Sequence, residues 1–185
     1  MFFAVVVVLV LLALVALWVM ATYNRLVTLG KKRDEAWSGV MVQLKRRHDL
    51  VPNLVNVVKG YAAHEEKVLA EVTKMRAYGQ GNGPKEVGES ERAFSQSLIR
   101  LLAVAENYPE LKADRNFQDL QNTLVRIEDD IQMSRRYYNG TVRDYNIQCA
   151  TFPGVLIANA YSFKESQFFD LDSPTEAETP TVSFS

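Results

Sequence analysis

The chain has 185 residues and a formal net charge of −1 at pH 7, from 21 Lys and Arg against 22 Asp and Glu. This length fits one compact domain with segments outside it, and the balanced charge excludes a polycation built for nucleic acid. The charge is nevertheless polarised. Basic residues dominate from Arg25 to Arg47, whereas the residues after Lys164 carry acidic side chains and no basic one.

An uncharged apolar segment runs from Phe2 to Ala21. As an α-helix it would span roughly 30 Å, the thickness of the hydrocarbon core of a bilayer. A cleaved signal peptide is the alternative, because Val19-Met20-Ala21 resembles a cleavage site, but the positive n-region of a signal peptide is missing. The sequence therefore predicts a retained transmembrane signal anchor over residues 1–22, with Trp18 and Tyr23 as interfacial aromatic residues.

The flanks of this anchor predict its orientation. Arg25, Lys31, Lys32 and Arg33 follow the span, whereas no charged side chain precedes it. The positive-inside rule places these cations at the cytoplasmic membrane interface. We therefore expect a single-pass protein of the inner (plasma) membrane with its N-terminus outside and its body in the cytoplasm. A single cysteine, Cys149, is consistent with a reducing compartment.

Helical periodicity dominates the rest of the chain. One apolar stripe precedes Pro52 and a second runs from Leu50 to Val72, so we expect a kink or break near His48–Val51. The glycines from Gly79 to Pro84 predict a loop, a third helix follows from Lys85 to Ala105, and Glu106–Glu110 is a short connector.

The fourth predicted helix carries a heptad seam, in which inward positions recur at alternating steps of three and four. Its members are Phe117, Leu120, Leu124, Ile127, Ile131, Ser134, Tyr138, Thr141, Tyr145, Gln148 and Phe152. Long helices with short connections predict an all-α protein, with an antiparallel up-and-down bundle over residues 23–169.

The C-terminal part differs in composition. The aromatic segment Val155–Phe169 either caps the bundle core or serves in self-assembly or membrane-surface contact, and it contributes Tyr161, Phe163, Phe168 and Phe169 as contact candidates. Residues 170–185 form an acidic tail rich in Ser, Thr and Pro, a composition typical of disorder. Thr181–Ser185 alternates like a short strand, which we expect to be ordered by neighbouring subunits in an oligomer.

Several collinear blocks resemble the LemA family. They begin with Tyr23-Asn-Arg-Leu-Val27 and Ala36-Trp37 and continue through Val42–Asn56, Val58–Glu66, Leu101–Asp114, Phe117–Asn122, Ile127–Ile131 and Tyr137–Asn139; the last are Val142–Ile147, Phe152-Pro153 and Phe163-Lys164. The resemblance implies one N-terminal transmembrane helix, a soluble bundle of long antiparallel helices, and no established enzymatic activity. Met41 and Ser162 depart from the family pattern, which has an acidic residue and a glycine at these positions.

Candidate catalytic and metal sites are weak. His64 begins a sequence like the zinc motif HExxH, but Val68 occupies the position of the second ligand, and His48 lies beyond Pro52. Cys149 has no histidine nearby in the sequence and is expected to be a buried structural thiol. The loop Gly79–Pro84 lacks the Lys and Ser/Thr of a P-loop. The sequence predicts no enzyme, no metal and no cofactor.

Three consecutive cations, Lys45, Arg46 and Arg47, carry the strongest functional signal. They fan around a helix, because neighbouring residues differ by about 100°, and Asp49 or the Glu128–Asp130 run would supply acidic partners. Three interpretations remain open: a salt-bridged collar, a lipid-headgroup site, or a contact with a subunit or partner. Distance disfavours the lipid, since Lys45 would stand roughly 36 Å beyond the membrane edge at about 1.5 Å per residue.

The sequence predicts a membrane-anchored structural or scaffolding protein that associates with the lipid bilayer and with copies of itself. An adaptor that recruits or regulates another envelope protein, such as a protease or signalling enzyme, is the alternative. The two differ in what co-purifies with the protein from detergent: large homo-oligomers alone, or a stoichiometric partner.

Overall fold

A computed structural model describes residues 1–62, 64–75 and 83–170, apart from the side chain of Met75. These residues form helices and no strand, which confirms the all-α prediction. The helices are α1 (Phe2–Tyr61), α2 (Glu66–Met75), α3 (Pro84–Glu106), α4 (Pro109–Ala113), α5 (Arg115–Ala150) and α6 (Gly154–Ala160). Most of the predicted loop Gly79–Pro84 and the predicted strand Thr181–Ser185 lie outside the described residues.

The N-terminal part of α1 is apolar and unburied. An 18-residue window of this helix has a mean hydropathy of 3.2, and none of it is buried within the protein. By length and composition this segment can cross a membrane, as the span Phe2–Ala21 predicts.

The chain does not break near His48–Val51, because α1 continues through Pro52 to Tyr61; a kink at this point stays a prediction. A proline inside a helix costs about 3 kcal/mol, since it removes one backbone hydrogen bond and crowds the preceding turn. Val51, Leu54 and Val58 are almost completely buried around it, and full burial of each such side chain stabilises by about 1.5–3 kcal/mol. Packing therefore outweighs the cost of the proline, and the second predicted stripe, Leu50–Val72, is divided between α1 and α2.

The predicted third helix matches α3, whose bounds exceed it by one residue at each end. Phe94, Leu98 and Leu101 are buried as expected, but Ile99 is 66% exposed. The predicted connector contains Asn107 and Tyr108 and then enters the short helix α4.

The heptad seam of α5 is buried or half-buried from Phe117 to Gln148. Phe152, its last predicted member, is instead 79% exposed. The reason is that α5 ends at Ala150, so the helical register no longer applies at residue 152.

The chain divides into two compact units. Unit 1 comprises Met1–Val40 and Arg136–Gln167, and unit 2 comprises Met41–Arg135 with residues 168–170. The core of unit 1 contains Leu26, Tyr145, Cys149, Ile157 and Ala158. The larger core of unit 2 is built from α1, α2, α3, α4 and α5 and includes Val58, Val72, Phe94, Leu101 and Phe117.

Candidate functional site

In unit 1, an aromatic cluster lies directly after the apolar span. Tyr23 contacts Tyr161 with ring centroids 4.9 Å apart and Phe163 at 5.7 Å. Both distances are within the range of favourable aromatic pairs. The cluster therefore joins the end of the span to the segment that follows α6.

Helix α6 is held against this part of α1 by the core of unit 1. Ile157 and Ala158 are buried with Leu26, and Val19 packs against the same cluster. Gly154 begins α6, and a Cβ at this glycine would lie 2.4 Å from the carbonyl oxygen of Gln148. A side chain could not fit there, so glycine allows α6 to pack closely on the end of α5.

The outer surface of α6 and its flanks is apolar. Phe152, Leu156 and Tyr161 are exposed, although α6 packs beside Val19 of the apolar span. Large apolar side chains exposed together mark membrane or protein contacts. Trp18 and Tyr23, the predicted interfacial residues, are both partly exposed.

The predicted interfacial cations do not all behave alike. Arg25, Lys31 and Lys32 are exposed. Arg33 instead forms an ion pair with Asp34 at 2.6 Å, lies 4.8 Å above the Tyr145 ring, and donates to Ser166. Burial lowers the pKa of Arg33, but its hydrogen bond and charge interaction with Asp34 outweigh this effect and raise the pKa above its ordinary value. Arg33 is thus engaged within unit 1, whereas the other three cations are exposed, and their place at a membrane interface stays a prediction.

The segment after Phe163 is attached to α5 by side-chain hydrogen bonds. Asn146 donates to the carbonyl oxygen of Ser166 at 2.9 Å and accepts the amide N–H of Ser166 at 2.8 Å. Tyr138 donates its hydroxyl to the carbonyl of Gln167 at 2.9 Å, and burial raises the pKa of this phenol. The Asn146 side chain thus forms hydrogen bonds with both the N–H and the C=O of Ser166, as the backbone of a neighbouring β-strand would.

Cys149 lies in the core of unit 1, as expected of a structural thiol. Burial raises the pKa of Cys149, an effect that its hydrogen bond with Tyr145 opposes only in part. Because the thiolate is the reactive form of cysteine, this environment disfavours a nucleophilic role.

In unit 2, each of the three consecutive cations meets an acid. Lys45 pairs with Asp49 at 2.7 Å and Arg46 with Asp130 at 3.4 Å, both on the surface. Arg47 pairs with Glu128 at 2.7 Å. These partners are the acids that the sequence suggests, and they favour the salt-bridged collar over a headgroup site.

Arg47 is the centre of a buried polar network. Its side chain and that of Glu91 are both 0% exposed, and the two form an ion pair. Arg47 also donates to Ser95 at 3.1 Å and lies 5.2 Å from the Phe94 ring. Arg47 as a contact candidate therefore needs correction, because a side chain without exposed surface cannot bind a partner. Its bonds instead connect α1, α3 and α5 within unit 2.

His48 belongs to the same network. Its ring stacks on Phe94 with centroids 4.1 Å apart, and its Nε2 lies 2.7 Å from Glu91. Within the described residues, no group of three or more His, Cys, Asp or Glu side chains could hold a metal ion. His48 thus serves as a packed polar group in the core of unit 2.

The aromatic pair at the end of the described chain divides into two roles. Phe168 is half exposed, whereas Phe169 is completely buried. A Cβ at Gly88 would lie 3.6 Å from the Phe169 ring and 2.5 Å from the carbonyl oxygen of Asp170. Phe169 as a contact candidate needs correction, because its side chain has no exposed surface and its ring lies beside Gly88 of α3.

Sequence reasoning missed Glu91, Asn146 and Gly154. Glu91 falls on the core face of α3 at position −3 from Phe94, so a charged residue within an apolar helical stripe was the available signal. Asn146 forms hydrogen bonds with the backbone of Ser166, and Gly154 allows a close approach to the backbone of Gln148. Local periodicity contains no information on either contact.

Comparison with known proteins gives a consistent assignment. The LemA family model matches residues 36–184. Magnetosome protein MamQ 2 and Magnetosome protein MamQ 1 of Paramagnetospirillum magneticum are each 27% identical to the chain over 187 residues, which cover 86% of this chain and 68% of the relative. Magnetosome protein MamQ of Magnetospirillum gryphiswaldense is 24% identical over the same length.

Proposed function

Because this chain belongs to the LemA family and its N-terminal helix can cross a membrane by length and composition, we propose that it is a non-catalytic, membrane-anchored structural protein that self-associates into a homo-oligomer. Its N-terminal helix anchors it in the inner membrane, with the N-terminus outside and the body in the cytoplasm. The helical body supplies the surfaces through which copies associate.

The observation that carries this proposal is the exposed apolar surface of α5. In unit 2, Val125 and Met133 are more than half exposed, and eight residues place them roughly 80° apart around the helix. In unit 1, Tyr137 and Ile147 are also more than half exposed and again roughly 80° apart. Each unit therefore presents an apolar pair on one side of α5, where a soluble monomer would carry polar residues.

Charges accompany these apolar side chains. Asp129 and Arg136 lie on the exposed side of α5 between the apolar residues. Mixed surfaces of this kind form reversible contacts, in which the apolar residues supply affinity and the charges set register.

The anchor favours a second copy as the occupant of this surface. Copies held in one bilayer stand parallel and at high effective concentration, so modest contacts suffice for association. Identical protomers associate with closed symmetry where the rotation between neighbours permits it, which makes a ring the simplest product.

The test is the native mass of the full chain in mild detergent. Val125→Glu with Met133→Glu places two charges on the α5 surface, and we expect the oligomer to dissociate to a smaller species. Ile99→Glu is the matched control, because Ile99 is an equally exposed apolar residue on α3. A monomeric wild-type protein would contradict the proposal. A stoichiometric co-purifying protein that Val125→Glu with Met133→Glu releases, and Ile99→Glu does not, would favour the adaptor.

A further inference from the structure

An apolar groove lies beside the inner end of the membrane span. Ala16, Val19, Met20 and Tyr23 of α1 form one wall, Tyr161 forms the other, and the volume is about 380 Å³. This volume falls in the range of small-molecule sites, about 300–1,000 Å³. The groove is large enough for part of a lipid chain.

The depth of the groove restricts what can occupy it. Ala16, Val19 and Met20 belong to the uncharged segment that ends at Ala21. In a bilayer this part of the groove lies within the hydrocarbon region, where water-soluble ligands are scarce and acyl chains are abundant. The second wall stays at this depth because Ile157 and Ala158 pack in the cluster against which Val19 lies.

Polar groups occur at the outer rim of the groove. Tyr23 and Tyr161 have no hydrogen bond from their hydroxyls within the described part of the chain. Lys164 is exposed, forms no ion pair in the same residues, and directly follows Phe163, whose ring contacts Tyr23. The next residue, Glu165, acts electrostatically on Cys149 in the core of unit 1, where burial raises the pKa of the thiol and the charge of Glu165 helps to raise it further.

We propose that unit 1 binds one anionic phospholipid. Its acyl chain lies in the groove between Ala16 and Tyr161. Its phosphate and glycerol oxygens meet the hydroxyls of Tyr23 and Tyr161, and its negative charge meets Lys164. The exposed side chains of Phe152, before α6, and Leu156, within α6, lie in the surrounding interface and hold the site at the level of the headgroups.

Native mass spectrometry of the full chain, exchanged into detergent with phosphatidylglycerol, tests the acyl-chain part. We expect one retained lipid per protomer. Ala16→Trp fills the groove with apolar atoms and should lower this retention at least tenfold. Leu14→Trp is the matched control, because Leu14 lies at the same depth on the opposite side of α1 and is not part of the groove.

Equal retention by Ala16→Trp and Leu14→Trp would overturn the proposal. So would a change of subunit number in Ala16→Trp without loss of lipid, since the groove would then hold a second copy. The same spectra report the oligomeric mass, so failure of the lipid site and failure of self-association are distinguished.

Lys164→Gln tests the headgroup part, in an equal mixture of phosphatidylglycerol and phosphatidylcholine. A cation near an anionic headgroup shifts binding by about fivefold, so the preference for phosphatidylglycerol should fall by about this factor. Lys85→Gln, an exposed lysine of unit 2, should leave the preference unchanged. An unaltered preference in Lys164→Gln would overturn the assignment of the headgroup.

Discussion

Two charged side chains, Arg47 and Glu91, lie without exposed surface in the core of unit 2. Removing a charge from water costs several kcal/mol unless a partner and hydrogen bonds compensate. Here Glu128, Ser95 and His48 supply the additional bonds. The network requires α1, α3 and α5 to meet in one register, so its role is specificity of packing.

Removing one partner of this pair should destabilise the protein strongly. Glu91→Ala leaves Arg47 buried without its main partner, and we expect the free energy of unfolding to fall by about 3–5 kcal/mol. Replacing both residues, Arg47→Met with Glu91→Leu, should recover much of this loss. Denaturant unfolding in detergent, followed by circular dichroism, measures both effects.

The exposed pair of Lys45 and Asp49 is the control for this comparison. Lys45→Ala should change the free energy of unfolding by less than about 1 kcal/mol, because exposed ion pairs contribute little. If Glu91→Ala costs no more than Lys45→Ala, the pair is not buried in solution.

The Cys149 thiol should be slow to react. Burial raises its pKa, so less thiolate is present at a given pH than in an exposed cysteine. We expect a maleimide to label native Cys149 at least about tenfold more slowly than Ala150→Cys in a Cys149→Ser background. Denaturant should remove the difference, and equal native rates would show that the core of unit 1 opens readily.

At the scale of elements, α5 begins with a side-chain cap in unit 2. Asp114 accepts the amide N–H of Phe117 at 2.9 Å and the hydroxyl of Tyr61 at 3.0 Å. These bonds lower the pKa of Asp114, the Phe117 amide contributing most. Since the folded pKa lies below the unfolded one, the stabilisation is present above the ordinary value of 3.8 and is lost as the pH falls through the folded pKa.

Asp114→Asn removes this titration while keeping a residue that caps helices well. We therefore expect the wild-type melting temperature to exceed that of Asp114→Asn at pH 6, and the difference to shrink as the pH falls below about 4. Asp129→Asn, in the exposed middle of the helix, should show no such convergence. Thermal melts between pH 2.5 and pH 6 measure this, and parallel curves would contradict the cap.

The segment after Phe163 depends on Asn146 for its attachment in unit 1. Asn146→Ala removes both bonds to the Ser166 backbone, and each is worth about 1 kcal/mol. Hydrogen exchange of the Ser166 amide should accelerate by roughly tenfold or more. Asn159→Ala, at an exposed asparagine, should leave this exchange rate unchanged; acceleration in both variants would mean that the bonds are not specific.

At the scale of the whole molecule, membrane orientation is the property that the charge distribution predicts. In a Cys149→Ser background, an impermeant maleimide should label Phe2→Cys in intact spheroplasts. Thr28→Cys, at an exposed residue after the span, should be labelled only after permeabilisation. The reverse pattern would place the body outside.

The helical class and the apolar N-terminal helix were predictable because both depend on local patterns. Twenty uncharged residues define a span, and steps of three and four define the face of α5 from Phe117 to Gln148. The continuation of α1 through Pro52 was not predictable from local patterns. The cost of the proline is offset by the burial of Val51, Leu54 and Val58, and these side chains pack against residues distant in the sequence.

The three consecutive cations show the same division. Lys45 pairs with Asp49, four residues away on the same helix, and a pair at this spacing can be predicted from the sequence. Arg47 finds Glu91 forty-four residues away, and its complete burial depends on helices that local patterns cannot bring together. The sequence thus predicted that at least one of these cations meets an acidic partner, and the structure showed which one is a core residue.

By itself, the sequence determined an all-α protein of the LemA family, with an N-terminal helix apolar and long enough to cross a membrane, a polar body, and a basic flank after this helix. Periodicity and charge suffice for this, because they report on a single helix and on its solvent. Tertiary structure alone decided that Arg47 and Phe169 are buried, that Asn146 fastens the segment after Phe163, and that Tyr161 closes a groove beside Met20. These features depend on which distant side chains meet, and that outcome is set by packing rather than by local pattern.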